Sequence, residues 1–333
     1  MIILGIETSC DETACAIFDS KINKFYEIIN TQINIHEKFG GTVPEIASRD
    51  HIKKISTLFL NVLKKTKINI KNIDCVSYTL GPGLIGSLLV GASFAKSLAY
   101  SINKHSIGVN HLEGHILIND FYKKIKYPSI CIIASGAHTM LIKIYKFRNY
   151  EIIGETIDDG IGETFDKVSR SLDLGYPGGP SIEKFSNFGS NDKNISLKMY
   201  NNYKDYNFSF SGVKTQISKL ITKNMSNEYK FNIAKSFQDK ITNYIVFKCK
   251  KSLLENKINN LILAGGVCAN KSLREKLLKL ENDFGINVFI PPIYHCTDNA
   301  AMIAYTGFIK AKENIFDKDL SINVYPKIGL KII

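Results

Sequence analysis

Ile2-Ile3-Leu4-Gly5-Ile6, then Glu7-Thr8-Ser9-Cys10-Asp11-Glu12-Thr13, then Ala14-Cys15-Ala16-Ile17-Phe18 reads as strand, polar tip, strand, because two apolar runs flank a polar segment. The pattern returns in Ile130-Cys131-Ile132-Ile133-Ala134, a tip at Ser135-Gly136-Ala137-His138-Thr139, and Met140-Leu141-Ile142-Lys143-Ile144-Tyr145. A second echo follows. Cys75 to Leu80 runs into Gly81-Pro82-Gly83 and a small-residue helix through Tyr100, and Leu261 to Ala264 runs into Gly265-Gly266 and a helix near Asn270 to Leu280. Each half therefore holds a hairpin, intervening helices and a strand-glycine-helix unit, the mark of an internal duplication in an α/β protein. Strand ends that open into Gly-rich turns gather backbone N–H groups at one sheet edge, where phosphate binds. Two such edges predict a nucleotide cleft.

Near the junction of the halves stands Asn110-His111-Leu112-Glu113-Gly114-His115. Imidazoles four residues apart share a helix face, so both can reach one ion. A third ligand is offered by Asp298 in His295-Cys296-Thr297-Asp298-Asn299, at the expected start of the last helix. It joins the pair only if the two halves fold together, which would put the ion in the cleft. The competing structural reading makes Asp298 a helix N-cap. A zincin protease is excluded by spacing: Leu112 follows the first His, and Glu113, about 200° round the helix from His111, points away.

The 333 residues are 44% hydrophobic and 22% charged, enough for two cores. Seven Cys without a C-x-x-C pair favour reduced thiols in a cytoplasmic protein. The apolar start leads at once into Glu7, Asp11 and Glu12 with no basic segment before it, so it reads as a strand and not a signal peptide. The apolar run Gly81 to Ala95 is too short to span a membrane. A net charge of +12 suits a polyanion such as RNA, with local clusters at Arg49, Lys53 and Lys54, at Lys64, Lys65 and Lys67, and at Lys123, Lys124 and Lys126.

The second half carries a helical insertion, roughly 154–232. Gly162-Glu163-Thr164-Phe165-Asp166-Lys167, Gly175-Tyr176-Pro177-Gly178-Gly179-Pro180 and Phe208 to Thr215 are expected to form loops lining a site. Asn187 to Asn207, rich in Asn, Lys and Ser, reads as a surface connection.

Glu7 to Thr13, Gly81 to Leu84, His111 to His115, Ser135 to Thr139, Gly162 to Lys167, Tyr176 to Pro180, Phe210 to Thr215, Ala264 to Asn270 and Thr297 to Asn299 together resemble the tRNA N6-adenosine threonylcarbamoyltransferase family (TsaD, formerly Gcp), in the same order from about residue 3 to 310. The resemblance implies a two-lobed actin-like ATPase (ASKHA) fold, with duplicated RNase H-like lobes around a nucleotide cleft. The lobes would be 1–127 and 128–333, the last helix packing back on the first. It implies transfer of threonylcarbamoyl from threonylcarbamoyl-adenylate to the adenosine next to the anticodon, in tRNAs reading codons that begin with A. It further implies a divalent ion, Fe2+ or Zn2+, held by His111, His115 and Asp298, and substrate contacts at Ile133, Ala134, Ser135, Gly136, Ala137, Asp166, Gly179, Glu183 and Asn270. Partners would be a TsaB-like paralogue and a TsaE-like ATPase, with no membrane. No general base is assigned.

One departure stands out: relatives commonly carry Gly where this chain has Ala137. A positive φ there would cost Ala about 1 kcal/mol and its methyl would crowd the ligand. The competing functions are a metal-dependent actin-like ATPase or sugar kinase without transferase activity, which has no reason to hold the His-His-Asp set, and a non-catalytic partner protein, which should lack it.

Overall fold

The computed structural model describes residues 1–199 and 205–330. Residues 200–204 of the Asn187–Asn207 connection lie outside the described residues. The chain forms two compact units, Met1–Tyr122 with the chain from Asp298 onward, and Lys123–Thr297.

The first unit runs β1 (Ile2–Glu7), β2 (Glu12–Asp19), β3 (Lys24–Thr31), the short α1 (Ile33–His36), α2 (Pro44–Thr66), β4 (Cys75–Gly81), α3 (Ile85–Ser101), β5 (His105–Asn110) and α4 (His111–Tyr122). The second runs β6 (Ser129–Ala134), β7 (Thr139–Lys146), β8 (Asn149–Glu155), α5 (Ile161–Ser171), α6 (Gly178–Ser186), α7 (Ser211–Leu220), α8 (Asn227–Asn256), β9 (Asn260–Ala264), α9 (Lys271–Phe284) and β10 (Asn287–Phe289). The last helix, α10 (Ala300–Lys312), returns to the first unit.

The duplication is visible in strand order. One sheet is β3-β2-β1-β4-β5 and the other, taken from its far edge, β8-β7-β6-β9-β10. In both, the first three strands are antiparallel and the last two join in parallel to the hairpin's first strand. Parallel strands need a crossover, and α2 and α3 supply it in the first unit.

Strand alternation sorts the first sheet's faces. Leu4 and Ile6 enter a core with Ile55, Phe59 and Val62 of α2 and Ala92, Ala95 and Ala99 of α3. Gly5 points the other way, onto α10, where a Cβ would stand 2.4 Å from Ala300 O and 2.5 Å from Ala304 N. Gly307 of α10 meets the sheet as closely, at Ser77. Only hydrogen at these positions lets helix and sheet backbones approach. In the second unit Ile130, Ile132 and Ala134 lie in one core with Phe165, Phe208, Phe210, Phe237 and Leu277. All seven cysteines are free thiols, six of them buried. Among the described residues, no helix is long and apolar enough to cross a membrane.

Gly5→Val drives a branched side chain into the α10 backbone. It is expected to destabilise the protein by about 1–3 kcal/mol or more, read as a lower urea midpoint; an unchanged midpoint would show that this close approach does not support the fold.

Candidate metal centre

Strands β1, β4 and β5 are parallel, so their carboxyl ends collect at one edge, where α/β sheets place ligands. Glu7 ends β1, and Thr79 near the end of β4 donates its hydroxyl to Glu7 Oε2 at 2.7 Å. Helix α4 starts directly after β5, with the Asn110 side-chain oxygen accepting the N–H groups of Leu112 at 2.9 Å and Glu113 at 3.3 Å. That cap satisfies donors a helix start leaves unpaired. It also sets His111 at the sheet edge.

One helical turn on, His115 brings its ring to 4.7 Å from that of His111, centroid to centroid. Asp298 Oδ1 lies 3.3 Å from His111 Nε2 and 3.1 Å from His115 Nε2. All three residues belong to the first unit, so the expectation that the ligands come from two lobes is corrected: the second half of the sequence supplies Asp298, but its segment folds with the first. The N-cap reading of Asp298 is corrected too. Asn299 is the N-cap of α10, its side chain accepting Met302 N–H at 2.8 Å, which leaves the Asp298 carboxylate to the imidazoles. Glu113 lies away from the pair, 3.4 Å from Lys310 Nζ.

Electrostatics separates the two imidazoles. Burial disfavours charge on both; at His111 the Asp298 and Glu7 carboxylates outweigh it and the pKa rises, whereas at His115 burial prevails and the pKa falls. Burial opposes ionisation of Asp298 as well, yet His111 and His115 hold its pKa far below the usual carboxylate range.

The residues fit a metal ion. The three ligand atoms lie within 4.8 Å of one another, and a tetrahedral ion with bonds of about 2.0–2.2 Å spaces its ligands by roughly 3.3–3.6 Å. Two neutral nitrogens and one carboxylate suit Fe2+ or Zn2+. Glu7 is the residue the sequence reading passed over. Its buried carboxylate meets His111 Nδ1 at 3.1 Å. The signal was an acid ending an apolar strand.

The second unit holds the other candidate residues. Ile133 and Ala134 are the buried end of β6; Ser135 is half-buried, and Gly136 and Ala137 are exposed. The loop carbonyls of Ser135 and Gly136 accept the Gly162 and Glu163 N–H groups at 3.1 and 3.0 Å, tying loop to helix start. A Cβ on Gly160 would stand 2.3 Å from Gly136 O, and one on Gly162 2.6 Å from Gly136 Cα. Both glycines are therefore needed for the contact. Ala137 does not enter the positive-φ region, so the strain expected of it is absent.

The Gly- and Pro-rich stretches expected as loops are largely helix starts: residues 162–167 lie in α5, 178–180 begin α6 and 211–215 begin α7. Glycine there serves backbone approach, as where Gly178 abuts Asp166 and Phe165. Asp166 Oδ1 accepts Gly178 N–H at 2.6 Å, and Glu183 Oε1 accepts Lys271 N–H at 2.7 Å. Asn270 caps α9 by accepting Leu273 N–H at 3.0 Å and donates to Gln238 Oε1 at 2.9 Å. Gly136 and Gly179 leave open space over their backbone, where a Cβ would meet no heavy atom within 4 Å beyond the adjoining chain.

The fold is that of the actin-like ATPase class. Likeness in fold alone, at 14% identity, links the chain to HypF of T. kodakarensis (TM-score 0.63; 94% of this chain, 48% of that one). It extends to the activator of 2-hydroxyisocaproyl-CoA dehydratase from Clostridium difficile with bound ADPNP (TM-score 0.52, 12% identity; 94% and 97%). Residues 24–305 match the family described as TsaD: tRNA N6-adenosine threonylcarbamoyltransferase. Relatives bearing that name include proteins of Thermosipho melanesiensis, 47% identical over 99% of this chain and 100% of its own, and Francisella tularensis subsp. novicida, 42% identical over 97% and 98%. The chain belongs to the tRNA N6-adenosine threonylcarbamoyltransferase family, enzymes of tRNA modification.

Asp298→Ala removes the acidic member of the candidate ligand set. Metal retained after dialysis by the variant, with circular dichroism to establish that it is folded, is expected to fall to background on elemental analysis.

Asp158 gives a pH prediction. It accepts hydrogen bonds from Phe210 N–H at 2.8 Å, Ser209 Oγ at 2.6 Å and Ser211 Oγ at 2.8 Å. Slight burial opposes ionisation, but these donors outweigh it and lower the pKa to about 2. A depressed carboxylate pKa stabilises the fold above the unfolded value near about 4, and that contribution is lost as pH falls toward the folded value. Asp158→Asn should narrow the stability difference between pH 5 and pH 2.5, measured by denaturant unfolding.

Proposed function

We propose that this chain transfers a threonylcarbamoyl group from threonylcarbamoyl-adenylate to N6 of the adenosine next to the anticodon, in tRNAs reading codons that begin with A, releasing AMP. The observation that carries the reading is the near-full-length likeness, at 42–47% identity, to relatives named for that transfer. The alternative of an ATPase or kinase without transferase activity is not favoured, since the family match is to a transferase.

Adenine N6 is a weak nucleophile because its lone pair is delocalised into the ring, so the electrophile must be activated and held. In this reading N6 attacks the carbamoyl carbon, the bond from that carbon to the phosphate oxygen breaks, and N6 loses a proton. His111, His115 and Asp298 would hold the ion, Fe2+ in our reading with Zn2+ the other candidate, and it would supply Lewis acidity for the transfer. Gly136 and its neighbours offer backbone N–H groups to the leaving phosphate. The open space over Gly136 and Gly179 supports close approach of a ligand to the backbone there. Asp166 and Glu183 are read as acids for ribose hydroxyls, and Asn270 as a nucleoside contact, each beside the structural bond it already makes.

The net charge of +12 supports tRNA as substrate and hence a cytoplasmic setting. A TsaB-like paralogue and a TsaE-like ATPase are the partners in this reading. Within α3, Gly91 and Ala95 are buried, Gly91 against Thr8. Exposed large hydrophobic residues are Ile85, Leu89 and Tyr100 of α3 and Ile52 and Leu60 of the adjoining α2, and these support a docking face.

Nucleoside mass spectrometry of unmodified tRNA, incubated with the protein, its partners and threonylcarbamoyl-adenylate, is expected to show the modified adenosine. His111→Ala should lower its yield by about 100-fold or more, since loss of a ligand exceeds the usual cost of losing an outer partner. No modified adenosine from folded, metal-loaded protein with active partners would overturn the reading.

A further inference from the structure

His111 is held from both ends of its ring. Nε2 faces Asp298, and Nδ1 faces Glu7 Oε2 at 3.1 Å, with Ser9 Oγ at 3.3 Å. His115 differs: its Nδ1 is buried with no hydrogen-bond partner among the described residues. Of the two imidazoles only His111 has an acid behind it.

Glu7 is fully buried and strongly connected. Oε1 accepts Ser9 N–H, and Oε2 accepts the Thr79 hydroxyl at 2.7 Å while facing His111 Nδ1. The donors come from the hairpin tip, β4 and α4. A buried carboxylate is tolerated only when so satisfied. An ionised carboxylate has no proton to give, so a hydrogen bond between Oε2 and Nδ1 requires the proton on Nδ1. The lone pair of a neutral ring is then on Nε2, the atom facing Asp298 and His115.

We propose that Glu7 is a positioning residue of the metal centre, holding His111 in the Nδ1–H tautomer so that Nε2 is presented to the ion. The inference rests on reading His111, His115 and Asp298 as metal ligands. It follows the general pattern in which a carboxylate behind a ligating imidazole fixes its tautomer and raises its basicity.

Glu7→Gln tests this with almost no change of shape. If the new amide oxygen takes the Ser9 N–H, its NH2 faces His111 Nδ1 and demands an acceptor there, moving the ring proton to Nε2. If the amide turns round, NH2 meets the Ser9 N–H, donor against donor. Either way the wild-type arrangement is lost.

The measurement is Zn2+ affinity by competition with a chromophoric chelator, for wild type, His111→Ala and Glu7→Gln, with circular dichroism to establish folding. The expected result is a 10- to 100-fold weaker affinity in folded Glu7→Gln. Long-range 1H–15N spectra of the Zn2+-loaded wild type, with His111→Ala for assignment, should show a proton on His111 Nδ1 and none on Nε2. That spectrum decides the matter even if Glu7→Gln does not fold. Wild-type affinity in folded Glu7→Gln, or a loaded His111 lacking the Nδ1 proton, would overturn the inference while leaving the metal reading intact. A wild type that takes up neither Zn2+ nor Fe2+ would remove both.

Discussion

One carboxylate shared by two buried imidazoles is the interaction on which the first unit turns. The half-buried Asp298 would be costly beside His111 and His115 as an isolated charge; the imidazoles make its ionised form favourable. To deliver it, α10 must lie hard against the first sheet. Gly5 and Gly307 permit this, each replacing a side chain that would collide with the facing element. The electrostatics of the site therefore depends on packing several residues away.

The sheet edge answers the same demand from the other side. Parallel β1, β4 and β5 end together, so Glu7, Thr79 and the start of α4 converge with no long loop. Residues on strand ends and a capped helix are held more rigidly than residues on loops, which suits a ligand set needing fixed distances. Deep burial of Glu7 has one consequence for chemistry: its hydrogen bonds are made inside the protein, out of competition with water.

The second unit repeats the topology and uses it differently. Its hairpin tip, Ser135 to His138, is fastened to α5 through backbone carbonyls, with Gly160 and Gly162 allowing contact at distances no side chain would tolerate. Asp158, Asp166 and Glu183 each bind backbone N–H groups near the start of a helix. Such acids offset the positive end of the helix dipole. The two units thus use similar scaffolds differently, the first gathering imidazoles with acids, the second setting its acids against helix starts and leaving open space over Gly136 and Gly179.

The sequence by itself determined the strand-tip-strand repeats and the strand-glycine-helix units, because period-two hydrophobicity and glycine punctuation are local signals. It also determined the pairing of His111 with His115, since helical spacing alone puts them on one face. Tertiary structure decided the rest. Asp298 lies 183 residues beyond His115, and only the docking of α10 shows that it belongs with the first unit. Glycines at 162 and 178 looked like loop formers and are places of backbone approach, since composition does not distinguish a turn from a close contact. The strain expected at Ala137 was absent because φ depends on the path of the chain around it, which neighbouring residue types do not specify. Glu7 looked like part of a polar tip; strand register made it the buried partner of a histidine more than a hundred positions away.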